Sequence, residues 1–541
     1  MYLIRSLCSV VPLLVLVLNT STAYTASAVI DYNIKYQTIE GFGGGLSFHK
    51  YPYFHPKKEE LYDSIFNKAK VNVIRVGNWY DPQADTPVVE VPMMKEIQQR
   101  WPHVKTMLAS WTPPAYLKSN DSTIGWTAQR DTGTLKKNTD GSYMYDEYGD
   151  YWLKSAKYFT GSGMKIDWIS IQNEPDWPAE HEGCVLEGRE TPTIASYGKA
   201  HTAVYNKLKN GLDVMIPMIG PDVAGIYQNR VTRFITSPET NTSEMVAYCH
   251  HLYDHPGAEW FTNARATITG KPIYQTEFLI NEGQQHGDRL LSWIDNAWFI
   301  HQSLVEEGAS MYLVFALAYN PGSMHTFFSQ DTTWQTDWYE TRNAYYVFKQ
   351  FSANISRGWK RIEAKCDDPS LLISAYCNDA NDSTAIVIIN TGAAATTVSL
   401  SAPGKVGTVV QTSNTKKYQQ TGTLSGGGTV AIDPVSVTTV RLATPSSVIT
   451  SDRAATTGVQ PSFSALSAGG GKLLINGTIP AGPVELSLFD CKGTCIAVHS
   501  FRQTGTVPFT HLFSTPLSPG RYLVKLSGKA VELSRTVAVV Y

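Results

Sequence analysis

The sequence predicts an α/β chain made of a (β/α)8 barrel with a side β-sandwich and an additional small C-terminal all-β module. Three observations carry this expectation. From about Tyr36 to Ser352, short apolar, β-branched runs alternate with longer helical patterns, the signal of repeated strand–helix units around a parallel sheet. Beyond Ser352 the helical patterns stop and strand runs separated by Gly, Asn and Thr take over. A stretch rich in Thr, Ser, Ala, Pro and Gly then leads to a last segment with cleanly alternating strands.

In chain order, the first element is a leader. One Arg in the opening residues is followed by an apolar run to Leu18 and then by small and polar residues. This reads as a signal peptide over 1–23, with cleavage after Ala23 or Ala28. The run is short for a membrane span of roughly 20 residues, and no later run is apolar for long enough to cross a bilayer. The mature chain is expected outside the cytoplasm, secreted or at the cell surface.

Eight runs are expected as barrel strands: 38–43, 73–76, 106–110, 168–172, 218–220, 246–250, 273–275 and 311–316. They fall in a domain over 29–355, and a (β/α)8 barrel takes about 250 residues before insertions. The surplus lies mostly in a polar loop, 112–150. Glycines at 41 and 43–45 lack the Lys, Ser or spacing of a phosphate loop and are read as close packing at the barrel mouth. Residues 356–443 hold six strand runs, with 396–400 and 408–412 as separate strands. A linker over 444–471 precedes a β module over 472–541, where Val484, Leu486 and Leu488 share one strand face and Tyr522, Val524 and Leu526 another.

Composition narrows the partner. Charged residues are 17% of the chain, the formal net charge is −2, and no Lys/Arg run could neutralise a row of phosphates, which excludes nucleic acid. Aromatics at 11% suit stacking on an uncharged ligand. Cys366 with Cys377, and Cys491 with Cys495, are near in sequence and are expected as disulfides or inert thiols; Cys184 and Cys249 pair or stay free. The turn Cys491–Cys495 has no second cluster to complete four zinc ligands, so neither metal nor cofactor is expected.

Active sites of (β/α)8 barrels lie at the C-terminal ends of the strands. Two carboxylates end strand runs: Glu174 in IleGlnAsnGluProAspTrp and Glu277 in LysProIleTyrGlnThrGluPhe. Their separation, 277 − 174 = 103 residues, is about three strand–helix units and places them on the fourth and seventh strands, across the mouth. Two carboxyls facing one bond suit glycoside hydrolysis with retention, in which one protonates the leaving oxygen and the other attacks the anomeric carbon. Asn173 is a candidate donor to the neighbouring sugar hydroxyl.

The stretches GlnThrIleGluGlyPheGlyGlyGly, ValIleArgValGly, SerTrpThrProProAlaTyrLeuLys, SerIleGlnAsnGluProAspTrp, HisHisLeuTyr, ThrGluPhe and TyrTyrValPheLysGlnPheSer are together similar to glycoside hydrolase family thirty, in the same order. The resemblance spans about Tyr36 to Leu442. It implies a barrel joined to a sandwich that the start of the chain also enters, with Glu174 as acid/base and Glu277 as nucleophile. It further implies that Arg75 supports the nucleophile, that Trp111 walls the sugar site, and that His251 and Tyr253 lie near Glu277, with His250 the alternative imidazole.

The long third loop and the Glu174 phrase resemble the xylanase branch of that family. The stretch after the eighth strand, PheAlaLeuAlaTyrAsnProGlySerMet, lacks the Arg with which glucuronoxylanases grip a glucuronate. The expected substrate is the β-1,4-xylan backbone of plant cell walls without a required acidic side group, cut by a monomer, with Tyr319 and Trp334 as candidate subsite aromatics. A β-1,6-glucanase or β-1,6-galactanase with the same two Glu residues is one alternative, and a non-catalytic carbohydrate-binding or adhesion protein another. The terminal segment resembles the sorting domains of type IX secretion; a carbohydrate-binding module is its alternative, against which stands the absence of Trp from 446–541.

Overall fold

The computed structural model describes residues 25–46, 51–84, 87–126, 132–333 and 335–444, and in the last segment 462–467, 472–479, 482–491, 493–503, 507–513, 517–518, 520–528 and 531–539. The expected signal peptide, most of the expected linker, and Trp334 lie outside the described residues, and Ser462–Ser467, expected as linker, is a strand of the terminal unit. The chain divides into two compact units, 1–443 and 444–541. No helix among the described residues is long and apolar enough to cross a membrane.

In the first unit β1 (Thr25–Thr38) precedes a closed parallel barrel. Its eight strands are β2 (Gly41–Gly45), β3 (Val73–Gly77), β4 (Lys105–Ala109), β5 (Trp168–Ser170), β6 (Met218–Val223), β7 (Ala247–His251), β8 (Ile273–Glu277) and β9 (Met311–Val314). Each expected run is a strand, with ends moved by a few residues. Parallel strands covered by helices are buried on both faces, which is why they read as continuous apolar runs. Val73, Met107, Trp168, Ile219, Cys249, Tyr274, Met311 and Leu313 belong to one buried cluster, and a larger one lies between strands and helices.

The helices follow from their periodicity. Tyr145–Gly161 carries Asp146 and Glu147 in its first turn, where they suit the positive end of the helix dipole, and buries Tyr148, Tyr151, Trp152, Ser155, Ala156 and Phe159 at i, i+3, i+4 spacing. Tyr197–Gly211 starts at Ser196, whose side chain accepts from the Lys199 N–H. The glycines of β2 are required by contact: a Cβ on Gly43 would sit 1.7 Å from the Val73 carbonyl oxygen, and one on Gly45 2.3 Å from that of Phe315.

The side sheet runs β1, Lys360–Cys366, Leu371–Cys377, Ser383–Asn390, Ser436–Ala443, Thr396–Thr412, Gln419–Ile432, and β1 also pairs in parallel with Thr397 to Leu400, so the sheet wraps back on itself. Lys360–Cys366 is a strand with no counterpart among the expected runs. The two strands expected at 396–400 and 408–412 are one, because the Pro403–Gly404 turn signal becomes a register shift between Ser401 and Val406 instead of a break. The expected cysteine pairing fails on register. Cys377 lies opposite Lys360, whereas Cys366, at the far end of the same strand, lies opposite Ala28. All six described cysteines are free.

In the second unit a sheet of Ser462–Ser467, Leu473–Ile479 and Val507–Phe513 and another of Cys495–Gln503, Gly482–Phe489, Gly520–Gly528 and Val531–Val539 share one apolar core. Val484, Leu486, Leu488, Tyr522, Val524 and Leu526 all point into it, as their alternation requires.

Candidate active site

Strand alternation aims side chains into the barrel, and breaks in it select the exceptions. In β7, Ala247 and Cys249 pack with the interior cluster, so period two brings His251 to the same face at the mouth. His250 points the other way and meets the buried Glu307 at 2.6 Å. The alternative imidazole is thus excluded by pleat. In β6, Ile219 faces inward and alternation would turn Asp222 outward. A register shift between Pro221 and Val223 inserts one extra residue, Asp222 takes φ +64°, and its carboxylate enters the barrel. A matching shift between His250 and His251 against β8 leaves Thr276 facing it.

Asp222 is a site residue that pattern reading misses. The signal is present as Gly220–Pro221 inside a strand, since Pro within a sheet marks a bulge. Its fully buried carboxylate accepts from Arg75 at 2.9 Å, Ser170 at 2.8 Å and Thr276 at 2.5 Å, and lies 3.4 Å from His251. Burial alone would raise its pKa; Arg75 and His251 override this and hold it well below the usual carboxylate range.

Arg75, midway along β3, is 1% exposed. Its guanidinium donates to Glu277, to Asp222 and, at 2.6 Å, to the Asn173 side-chain oxygen, and lies 4.4 Å from the Trp111 ring centre. Asn173 therefore has its oxygen committed to Arg75. Trp111 stacks on Trp79 with ring centres 5.6 Å apart. The Tyr253 hydroxyl donates to Glu277 at 2.8 Å. Burial, with Glu277 and Glu174 nearby, pushes the Tyr253 pKa well above its ordinary value, so it remains a donor.

Glu174 follows β5 with φ +45°, and its backbone N–H donates to the Asp222 carbonyl. Its carboxyl lies 2.8 Å from His251 Nδ1. Burial would lower the His251 pKa, but Glu277, Asp222 and Glu174 push it up to about 10, so the ring is a cation at neutral pH. For Glu277, burial raises the pKa above the ordinary carboxylate value, while His251, Arg75 and the Tyr253 hydroxyl act in the opposite sense and Glu174 adds to the rise. The carboxyl groups of Glu174, Asp222 and Glu277 thus surround Arg75 and His251.

One oxygen each of Glu174 and Glu277 and one ring nitrogen of His251 lie within 4.8 Å of one another. A metal would need a neutral His ligand, whereas this His is held protonated and Arg75 already pairs with Glu277. The donor set is that of an ion-pair network. The two carboxyls open into a cleft of about 700 Å3 whose walls include Trp111, Asn173, Trp177, Tyr253, Phe315 and Tyr319. Arg75, Trp111, Asn173, Glu174, His251, Tyr253 and Glu277 are therefore brought together, and Tyr319 lines the same cleft. Trp334 lies outside the described residues. Beyond the expected aromatics the cleft adds Trp177, three residues after Glu174, and Phe315, just past β9.

No protein-family model matches the chain. It is 22% identical over 390 residues to the glucuronoxylanase XynC of Bacillus subtilis, spanning 69% of this chain and 79% of that protein. The catalytic domain of the GH30 xylanase C from Talaromyces cellulolyticus superposes with a TM-score of 0.63 at 18% identity, covering 77% of this chain and 100% of that one. By its relatives and its fold, the chain is a glycosidase. This glycosidase is also 21% identical over 320 residues to an endo-1,6-β-D-glucanase of Neurospora crassa, over 55% of this chain and 60% of that one.

Proposed function

We propose that the chain is a retaining endo-glycanase of glycoside hydrolase family thirty that cuts the β-1,4-xylan backbone. The observation that carries the mechanism is the approach of the Glu174 and Glu277 carboxyl oxygens to within 4.8 Å, close to the roughly 5 Å of double displacement and short of the roughly 6.5–9.5 Å at which inversion admits a water beside the sugar. Their surroundings support a division of roles. Glu277, fixed by Arg75 and Tyr253, attacks the anomeric carbon as the glycosidic C–O bond breaks. Glu174, the more exposed of the two at 12%, gives its proton to the leaving oxygen and then takes one from the water that releases the sugar. Two inversions give net retention.

Substrate choice rests on the cleft and on the relatives. Arg230 is the only Lys or Arg among the described residues lining the cleft, and it is engaged by the buried Asp176 at 2.8 Å. Glu182 and Asp254 add carboxylates to the wall. A cleft so charged suits a neutral backbone better than a glucuronate. The Neurospora crassa relative favours a β-1,6-glucan as the second reading. The test is incubation of purified protein with xylan, β-1,6-glucan and β-1,6-galactan, with the first-formed anomer read by NMR. Xylo-oligosaccharides released as the β-anomer are expected; release from the β-1,6-linked polymers alone would replace the substrate, and the α-anomer would overturn the mechanism.

We propose further that the chain is exported with cleavage after Ala23. A cut after Ala28 would remove the part of β1 that pairs with Thr397 to Leu400, leaving that edge open. N-terminal sequencing of the mature protein decides between the two. The C-terminal unit is proposed as a sorting module, a role its lack of Trp favours over sugar binding. Deleting 444–541 should leave the enzyme inside the cells; export unchanged with weaker retention on insoluble xylan would favour the binding role.

A further inference from the structure

The catalytic cleft continues past Trp177. That side chain, 48% exposed, and His181 line both the cleft and a second groove of about 530 Å3, whose far wall is Trp126, 37% exposed. Thr132, Pro178 and Glu180 also line the groove, and no Lys or Arg is among its described lining residues.

The far wall is built on the chemistry-bearing loop itself. The Trp126 N–H donates to the Ala179 carbonyl and the Gly125 N–H to that of His181, each at 2.7 Å, and Ile124 forms an antiparallel bridge with Glu182. Residues 124–126 of the long third loop are thereby zipped onto 179–182, which begin five residues after Glu174. Gly125 permits the approach, since a Cβ there would sit 2.6 Å from the Ala179 carbonyl. Beneath the zipper the Lys118 ammonium is buried and donates to the carbonyls of Thr123, Ile124 and Gly183. An exposed indole on a backbone held this firmly loses little freedom when a ligand stacks on it.

We infer that the groove between Trp126 and Trp177 is a distal subsite, which takes neutral sugar rings of the same polysaccharide chain whose bond lies between Glu174 and Glu277. The inference rests on the glycanase reading above and deepens it. Continuity with the cleft supplies the occupant: a chain leaving the catalytic carboxyls passes Trp177 before it reaches Trp126. Flat apolar faces of pyranose rings lie on indoles, and the described lining presents two indoles with no Lys or Arg beside them. The long third loop then sets chain-length preference rather than chemistry.

The test uses the full chain and a length series of neutral oligosaccharides prepared from whichever polysaccharide it cuts. In Trp126→Ala the ratio of kcat/KM for the longest oligomer to that for the shortest one hydrolysed should fall about tenfold, and in Trp126→Phe much less. A ratio within about twofold of the native value, in a variant that melts as the native protein does, would overturn the inference. Trp126→Gln serves if the alanine variant folds poorly. If the native protein cuts no glycan, the glycanase reading falls, and equilibrium binding of the longest xylo-oligosaccharide to native and Trp126→Ala proteins still decides: weaker binding by the variant supports the subsite, equal binding overturns it.

Discussion

Asp222 accepts a hydrogen bond from Arg75 at 2.9 Å, on a strand position that alternation alone would turn away from the barrel. The bulge that re-aims this carboxylate supplies the counter-charge which lets Arg75 stay buried while it also holds Glu277. The site thus depends on a group that touches no substrate.

Asp222→Asn should therefore lower stability by about 3–5 kcal/mol, the usual effect of leaving a buried partner charge uncompensated, and reduce kcat/KM by loosening Arg75. Ser170→Ala, which removes a neutral donor to the same carboxylate, should cost only about 1 kcal/mol. Because the folded pKa of Asp222 lies below its unfolded value, its contribution is present above ordinary carboxylate pKa values and lost as pH falls through the folded one. Denaturant midpoints measured against pH should fall toward acid more steeply for the native protein than for Asp222→Asn.

Glu277→Gln should lower kcat by about 10^4-fold or more, since no other group is placed to attack the anomeric carbon. Glu174→Ala should cost about 10^2- to 10^4-fold on polysaccharide and far less in the first step on an aryl glycoside whose leaving group needs no proton. Equal losses on both substrates would contradict the acid role of Glu174.

Removing the cation at 251 should move the pH profile. His251 is among the groups that pull the Glu277 pKa down, so in His251→Phe that pKa rises further. The acid limb of kcat/KM, which requires Glu277 ionised, should shift to higher pH. In the native protein the His251 charge contributes stability that is complete below its unfolded pKa and lost as pH rises through about 10. A pH–rate profile of variant and native protein checks the first point, and thermal melts from neutral to alkaline pH the second.

Gly43→Ala should destabilise by more than about 3 kcal/mol, because the added methyl meets backbone rather than a movable side chain. A chemical denaturation midpoint is the measurement. Gly283→Ala, with open space around its Cβ but φ +84°, should cost about 1 kcal/mol from strain alone.

Much of the site is legible in the order of residues along the strands. Glu174 and Glu277 are recognisable because each ends an apolar run, and the barrel's repeat converts their spacing into opposition across the mouth. His251 is separable from His250 by the pleat of Ala247 and Cys249. Asp222 is hidden, because a one-residue bulge reverses the facing that its neighbours imply. Cys366 and Cys377 mislead, because nearness in sequence says nothing of which end of a hairpin each occupies.

The amino-acid sequence by itself determined the eight-stranded barrel, the two carboxylates and the supply of aromatic residues for the ligand site, since all three follow from local periodicity and side-chain type. Only the tertiary structure decided that Arg75 stands among Glu277, Asp222 and Asn173, that the strand at Lys360–Cys366 exists, and that Trp126 continues the cleft. These depend on register shifts and on long-range backbone pairing, whose energies are shared between segments far apart in the chain and leave no periodic trace in either one alone.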